Sequence, residues 1–102
     1  MKWFLLALFL LGSQASAQER GKVRGRIQDY QKYKYALVVY KKNHAPEARD
    51  FIRDVGFTVK KHERDKLAYR CTWTGLDRKE LEAKLAKLAS GDKILLIEPD
   101  PR

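Results

Sequence analysis

The feature that most limits what this chain can fold into is a hydrophobic period that switches back and forth between Tyr35 and Glu98. "YALVVY" (35–40) is β-branched and aromatic, apolar on both faces, and predicts a central strand. In "NHAPEARDFIRDVG" the period lengthens. Pro46 suits a first helical turn, Ala48, Phe51, Ile52 and Val55 recur at helical spacing, and Gly56 can end the helix in the left-handed conformation. "FTVKKHERDKLAYRCTW" returns to strand character on both sides of a polar turn at Glu63 to Lys66. In its second half Leu67, Tyr69, Cys71 and Trp73 share one face, and Ala68, Arg70 and Thr72 share the other. "TGLDRKELEAKLAKLASG" predicts the best-defined helix. Asp77 is its N-cap, Glu80 completes a capping box, Leu76 can staple to Leu81, and Leu81, Leu85 and Leu88 form a stripe that stops before Gly91. "KILLIE" supplies a last strand.

The order is β-α-β-β-α-β, and right-handed crossovers place both helices on one face of a four-stranded antiparallel sheet. This α+β arrangement is the ferredoxin-like sandwich, a fold that hosts many unrelated functions. It leaves one sheet face uncovered. If Tyr69, Cys71 and Trp73 pointed away from the helices, that face would carry an aromatic patch of the kind that marks an interface. Burial is the commoner fate of such residues, so the preferred reading puts them in the core and leaves Arg70, Thr72 and their neighbours on the open face.

The chain begins with Lys2, nine apolar residues from Trp3 to Leu11, and small residues at Ala15 and Ala17, which read as a signal peptide over residues 1–17. The apolar run is shorter than the roughly 20 residues a membrane span needs, so no span is expected after cleavage. Residues 18–32, rich in charge, Gly and Gln, read as a basic flexible arm, with a short strand conceivable at Val23 to Ile27. Residues 33–102 read as the ferredoxin-like domain. Losing Lys2 with the leader takes the formal charge from +9 to +8. For a secreted or periplasmic protein this favours an anionic surface, an acidic protein or a cell-wall polymer over nucleic acid. Cys71 is the single cysteine, so no internal disulfide supports the domain.

Nothing in the chain assembles a catalytic, cofactor-binding or metal-binding set. Ser90 follows a helix, Cys71 has no neighbouring His in sequence, and His44 and His62 lack ligand-spaced partners. His44 reads as a polar residue at the start of a helix, and His62 as one at a strand end beside solvent. "VRGRIQ" (23–28) resembles the opening of acylphosphatases, but Asp29 and Tyr33 stand where that family has a Gly and its phosphate-binding Arg. Acylphosphatase-like activity is therefore the least favoured reading.

Two non-enzyme families fit the element order better. Tyr35 to Asp100, from "YALVVYKK" through "YRCTWTGLDRKELEAKL" to "LLIEPD", resembles the propeptides of subtilisin-like proteases and their stand-alone I9-type inhibitor relatives. The resemblance implies a protease inhibitor or propeptide-like chaperone acting in trans on a subtilisin-like serine protease. The open sheet face would dock, and a protruding tail of Ile97, Glu98, Pro99, Asp100, Pro101 and Arg102 would lie in the protease cleft. "AYRCTWTGLDRKEL" resembles the SPOR domain, a peptidoglycan-binding module. That resemblance implies a cell-wall glycan partner met by Tyr69, Arg70 and Trp73, whose rings and charge suit stacking and hydrogen bonding to sugars. The expectation is a small exported binding protein without catalytic activity.

Overall fold

The structure, a computed structural model, describes residues 22–101. The expected leader, the first residues of the expected arm and Arg102 lie outside that range. The elements run α1 (Ile27–Tyr33), β1 (Tyr35–Tyr40), α2 (Ala45–Val55), β2 (Thr58–Glu63), a 3-10 turn (Arg64–Lys66), β3 (Ala68–Thr72), α3 (Arg78–Ala89) and β4 (Ile94–Pro99). The strands form one sheet in the order β2-β3-β1-β4. Each neighbouring pair is antiparallel. This is the strand order of a ferredoxin-like sandwich, with β1 and β3 in the middle as their apolar sequences require.

The two expected helices form for the reasons their sequences give. In α2, Pro46 sits in the first turn, Ala48, Ile52 and Val55 are buried, and Gly56 ends the helix at φ 114°. That backbone region is open to glycine and strained for other residues. Lys84 Nζ, reaching across from α3, donates to the Val55 carbonyl at 2.9 Å and so satisfies a helix-end acceptor. In α3, the Asp77 carboxylate accepts the Glu80 N–H at 2.8 Å, and the Glu80 carboxylate accepts the Asp77 N–H at 3.2 Å. Leu81, Leu85 and Leu88 face inward. Gly91 is needed for room rather than for φ. A Cβ there would lie 2.5 Å from the Phe51 ring.

Within the described residues, the expected arm is replaced by ordered structure. Instead of a strand over Val23 to Ile27, only Val23 makes a bridge, parallel to Ile97. Arg24 N–H donates to the Ile97 carbonyl at 2.7 Å, and helix α1 follows. Tyr30 is the anchor. It is buried, and its hydroxyl hydrogen-bonds the carbonyls of Arg24 at 2.6 Å and Ile97 at 3.2 Å. The segment therefore covers part of the outer side of β4, which would otherwise be a bare sheet edge.

The core lies between the helices and one sheet face. It takes Ala36, Val38 and Tyr40 from β1, Tyr69 and Cys71 from β3, Ile94 and Ile97 from β4, and the inward stripes of α2 and α3. Tyr69 and Cys71 are thus core residues, with Trp73 packed against them.

Candidate functional site: the open face of the sheet

Strand alternation fixes what lies on the side away from the helices. Since Ala36, Val38 and Tyr40 enter the core, Tyr35, Leu37 and Val39 must point the other way. Cross-strand partners share a face, so the register extends this set in rows. Lys61, Arg70, Leu37 and Glu98 form the middle row. Glu63, Ala68, Val39 and Leu96 form the row on one side of it. Thr58, Thr72 and Tyr35 form the row on the other side. Asp100 extends that last row, because its N–H donates to the Tyr35 carbonyl at 3.0 Å.

The face combines a small apolar strip on β1 and β4 with charged residues on β2, β3 and β4. Leu37 and Ala68 are buried yet stand outside the core cluster, flanked by their neighbours on this face. Val39, Leu96 and Tyr35 are half-buried. Where the β1–β4 register slips at Val39 and Tyr40, Leu95 is left 48 % exposed beside them. At the opposite end, the Arg70 guanidinium lies 3.8 Å from the Tyr35 ring centroid and pairs with Asp100 at 3.1 Å. The stack and the ion pair together hold the chain's exit against this face.

That anchoring corrects the picture of a protruding tail. Ile97 is fully buried in the core and has no surface to offer a partner. Glu98 and Pro99 belong to β4, paired with Leu37 and Ala36. Asp100 is buried, and exposed chain begins only at Pro101, with Arg102 outside the described residues. A proline is tolerated at position 99 because Asp100 N–H points toward β1. The nitrogen of Pro99 therefore faces outward, where the ladder needs no donor.

The three residues expected to meet a glycan do not form one site. Arg70 lies on the open face, whereas Tyr69 and Trp73 lie on the helix side. The Tyr69 hydroxyl donates to the Ala45 carbonyl at 3.0 Å, and its ring stacks on His62 at 4.4 Å. His62 in turn lies 2.6 Å from the Tyr40 hydroxyl, so it closes an aromatic cluster and is not simply a strand-end group in solvent. Trp73 meets Phe57 edge-on and forms one wall of a cleft of about 460 Å³ between α1 and the β3–α3 loop, with Gln31, Lys34, Thr74 and Leu81 also lining it.

The remaining candidates for chemistry are occupied structurally. Burial pushes the Cys71 thiol up to about 12, so it is protonated and inaccessible at neutral pH. Ser90 donates to the Lys87 carbonyl. His44 lies at the N-cap of α2 and bonds Glu47, whose carboxyl is held below its ordinary value chiefly by that hydrogen bond. In the stretch that resembles acylphosphatases, the Asp29 carboxylate accepts the Arg26 N–H, placing an acid where an anion would need a donor. Among the described residues, no group of three or more His, Cys, Asp or Glu could hold a metal ion, and no helix is long and apolar enough to cross a membrane.

Comparison with protein families, with curated proteins and with solved structures finds no match to this chain.

Sequence reading placed Arg70 and Thr72 on the open face, assigned Glu98 and Asp100 to a protruding tail instead, and did not single out Tyr35, Leu37, Val39, Leu96 or Lys61. The signal was present in "YALVVY". A strand apolar on both faces, in a sheet covered on one, must leave apolar side chains uncovered.

Proposed function

We propose that this chain is a small exported binding protein without catalytic activity, and that it engages a protein partner through the open face of its sheet. The observation that carries the reading is the partly uncovered apolar strip of Val39 and Leu96, continued by the exposed Leu95 and bordered by the ion pair that fixes the chain's exit. Such a face loses its contact with water on docking, and its charged residues set orientation. A subtilisin-like serine protease is the leading partner class, because the exit at Pro101 would carry any extended end out from the edge of the docked face.

Inhibition of a panel of subtilisin-like proteases tests this, using the native chain, Leu96→Asp and a chain ending at Asp100. The expected result is inhibition that Leu96→Asp weakens at least about tenfold, as removal of a central interface contact does. The shortened chain would separate the contribution of the exit from that of the face. Absence of inhibition across the panel contradicts the protease assignment. Inhibition indifferent to Leu96→Asp contradicts the docking face.

A second reading has its own support. The open face sets two cations, Lys61 and Arg70, against three anions, Glu63, Glu98 and Asp100, while the whole chain carries +9. The positive excess therefore lies elsewhere, chiefly in residues 22–34, where Lys22, Arg24, Arg26, Lys32 and Lys34 face Asp29 alone, whereas α2 and α3 together carry six cations and five anions. A cell-wall glycan or other anionic surface would meet α1 and the segment before it, where Arg24, Arg26, Lys32 and Lys34 are exposed next to the Trp73 cleft. Salt-sensitive binding to peptidoglycan, unchanged by Leu96→Asp, would favour it.

A further inference from the structure

The cleft beside Trp73 lies at the end of the sheet where β1 begins and β3 ends, away from the apolar strip of the open face. Trp73, Leu76 and Leu81 supply its apolar surface. The buried Phe57 braces Trp73 edge-on, so the aromatic wall is in place before anything binds. Gly75, at φ 69°, has nothing within 4 Å of where a Cβ would stand, so the loop side of the cleft is bare backbone and open. Among the described residues that line it, Lys34 alone is charged, and Gln31 and Thr74 are the neutral polar members. The backbone of Lys34 is fixed on both sides. Its N–H donates to the Tyr30 carbonyl at 2.8 Å, and its carbonyl accepts the Thr72 hydroxyl at 2.6 Å. Lys34 ends α1 at φ 63°, a left-handed position that glycine fills without strain. A lysine there costs stability and brings a cation to the cleft. Asp77 and Glu80, the nearest acids in sequence, hold each other's backbone N–H groups at the start of α3.

We propose that this cleft binds a small carboxylate with an apolar body, the chemistry shared by an aryl-alkanoic acid and the C-terminal residue of a peptide. The body packs on Trp73, Leu76 and Leu81, and the carboxylate pairs with Lys34. A sugar ring fits less well, because Gln31 and Thr74 are the only neutral side chains at hand for its hydroxyls. The volume of about 460 Å³ lies toward the small end of ligand pockets, which run from roughly 300 to 1,000 Å³, and suits one such group. The site is separate from the open face, so it neither requires nor blocks a protein docked there.

Amide and indole chemical shifts of the isotope-labelled chain, followed on titration with phenylpropionate, test the proposal. Phenylpropanamide has the body without the charge, acetate the charge without the body, and a galacturonate trimer the charge on a sugar. The expected result is a shift of the Trp73 indole and the Gly75 amide that saturates with a Kd of about 1 mM or tighter, with the amide and acetate at least about tenfold weaker. Lys34→Gly keeps the left-handed backbone and is expected to weaken phenylpropionate about tenfold while leaving phenylpropanamide unchanged. Thr74→Glu, at an exposed position, sets an acid against the ligand's acid and is expected to weaken phenylpropionate likewise. Circular dichroism confirms that each variant folds. Equal shifts by acid and amide, indifference to Lys34→Gly, or no cleft shift at about 10 mM phenylpropionate overturns the proposal. Cleft shifts from the galacturonate trimer alone overturn it in favour of a glycan. A peptide ending in a free phenylalanine carboxylate distinguishes the sources. If it binds more tightly than phenylpropionate and loses that on amidation, the ligand is a peptide C-terminus, and the reverse order assigns a free acid. Both orders support the proposal. Leu96→Asp leaves these shifts unchanged, so failure of the cleft and failure of the docking face are read separately.

Discussion

Cys71 shows how burial alone sets a residue's chemistry. An unfolded thiol ionises near 9.0, whereas the folded one does so near 12. Between those values the unfolded chain gives up a proton that the folded chain keeps. The contribution is therefore fully present below about pH 9 and is lost as pH rises, at up to about 1.4 kcal/mol per pH unit. Urea unfolding at pH 8 and pH 10.5 should show a steeper alkaline loss for the native chain than for Cys71→Ala. Tyr30, whose hydroxyl is also raised, chiefly by burial and then by the charges of Glu98 and Asp29, adds a loss above pH 10 that both chains share. At Asp100, replacement by Asn removes the charge facing Arg70 and should cost about 2 kcal/mol, a value suited to a charge-assisted hydrogen bond in a largely buried pair, read as a lower urea midpoint. Cys71 was legible as a buried hydrophobe because it alternates with Arg70 and Thr72. The role of Asp100 was not, because nothing in "EPDPR" announces a partner on β3.

At the scale of elements, legibility followed the strength of the local signal. Helix α3 carries its own start in Asp77 and Glu80, and Asp77→Ala should lower stability by about 1 kcal/mol in thermal or urea unfolding, the usual cost of a lost N-cap. Helix α1 carries no such signal. Its seven residues offer Ile27 and Tyr30 as inward positions, and a helix so short is held by tertiary contacts rather than by propensity. The two hydrogen bonds of the Tyr30 hydroxyl supply them, and they join residues 67 apart in one case, beyond the reach of any local pattern. Strand β4 was placed correctly but ended too early, because a proline usually signals a stop. On an edge strand with its nitrogen facing outward, it does not.

For the whole molecule, the β-α-β-β-α-β order was readable because each switch of period is marked by a turn or cap residue. The docking face was only half readable, since register determines which side chains sit in a row, and no sequence prints its register. One consequence concerns the chain's end. Truncation after Ile97 removes the pairings of Glu98 and Pro99 with β1 and the partner of Arg70, so it should destabilise the fold by roughly 3 kcal/mol, summing ordinary hydrogen bonds and one ion pair. Loss of binding in that variant would report on folding as much as on a tail, whereas a chain ending at Asp100 keeps every described contact of β4. The central claim is that the molecule meets its protein partner through the open sheet face. Its most direct test is amide chemical-shift mapping of the labelled chain on addition of a subtilisin-like protease with a blocked nucleophile. The account predicts perturbations concentrated at Tyr35, Leu37, Val39, Lys61, Arg70, Leu96 and Glu98. Perturbations centred on α2, α3 or the Trp73 cleft, or none at saturating protease, would contradict it.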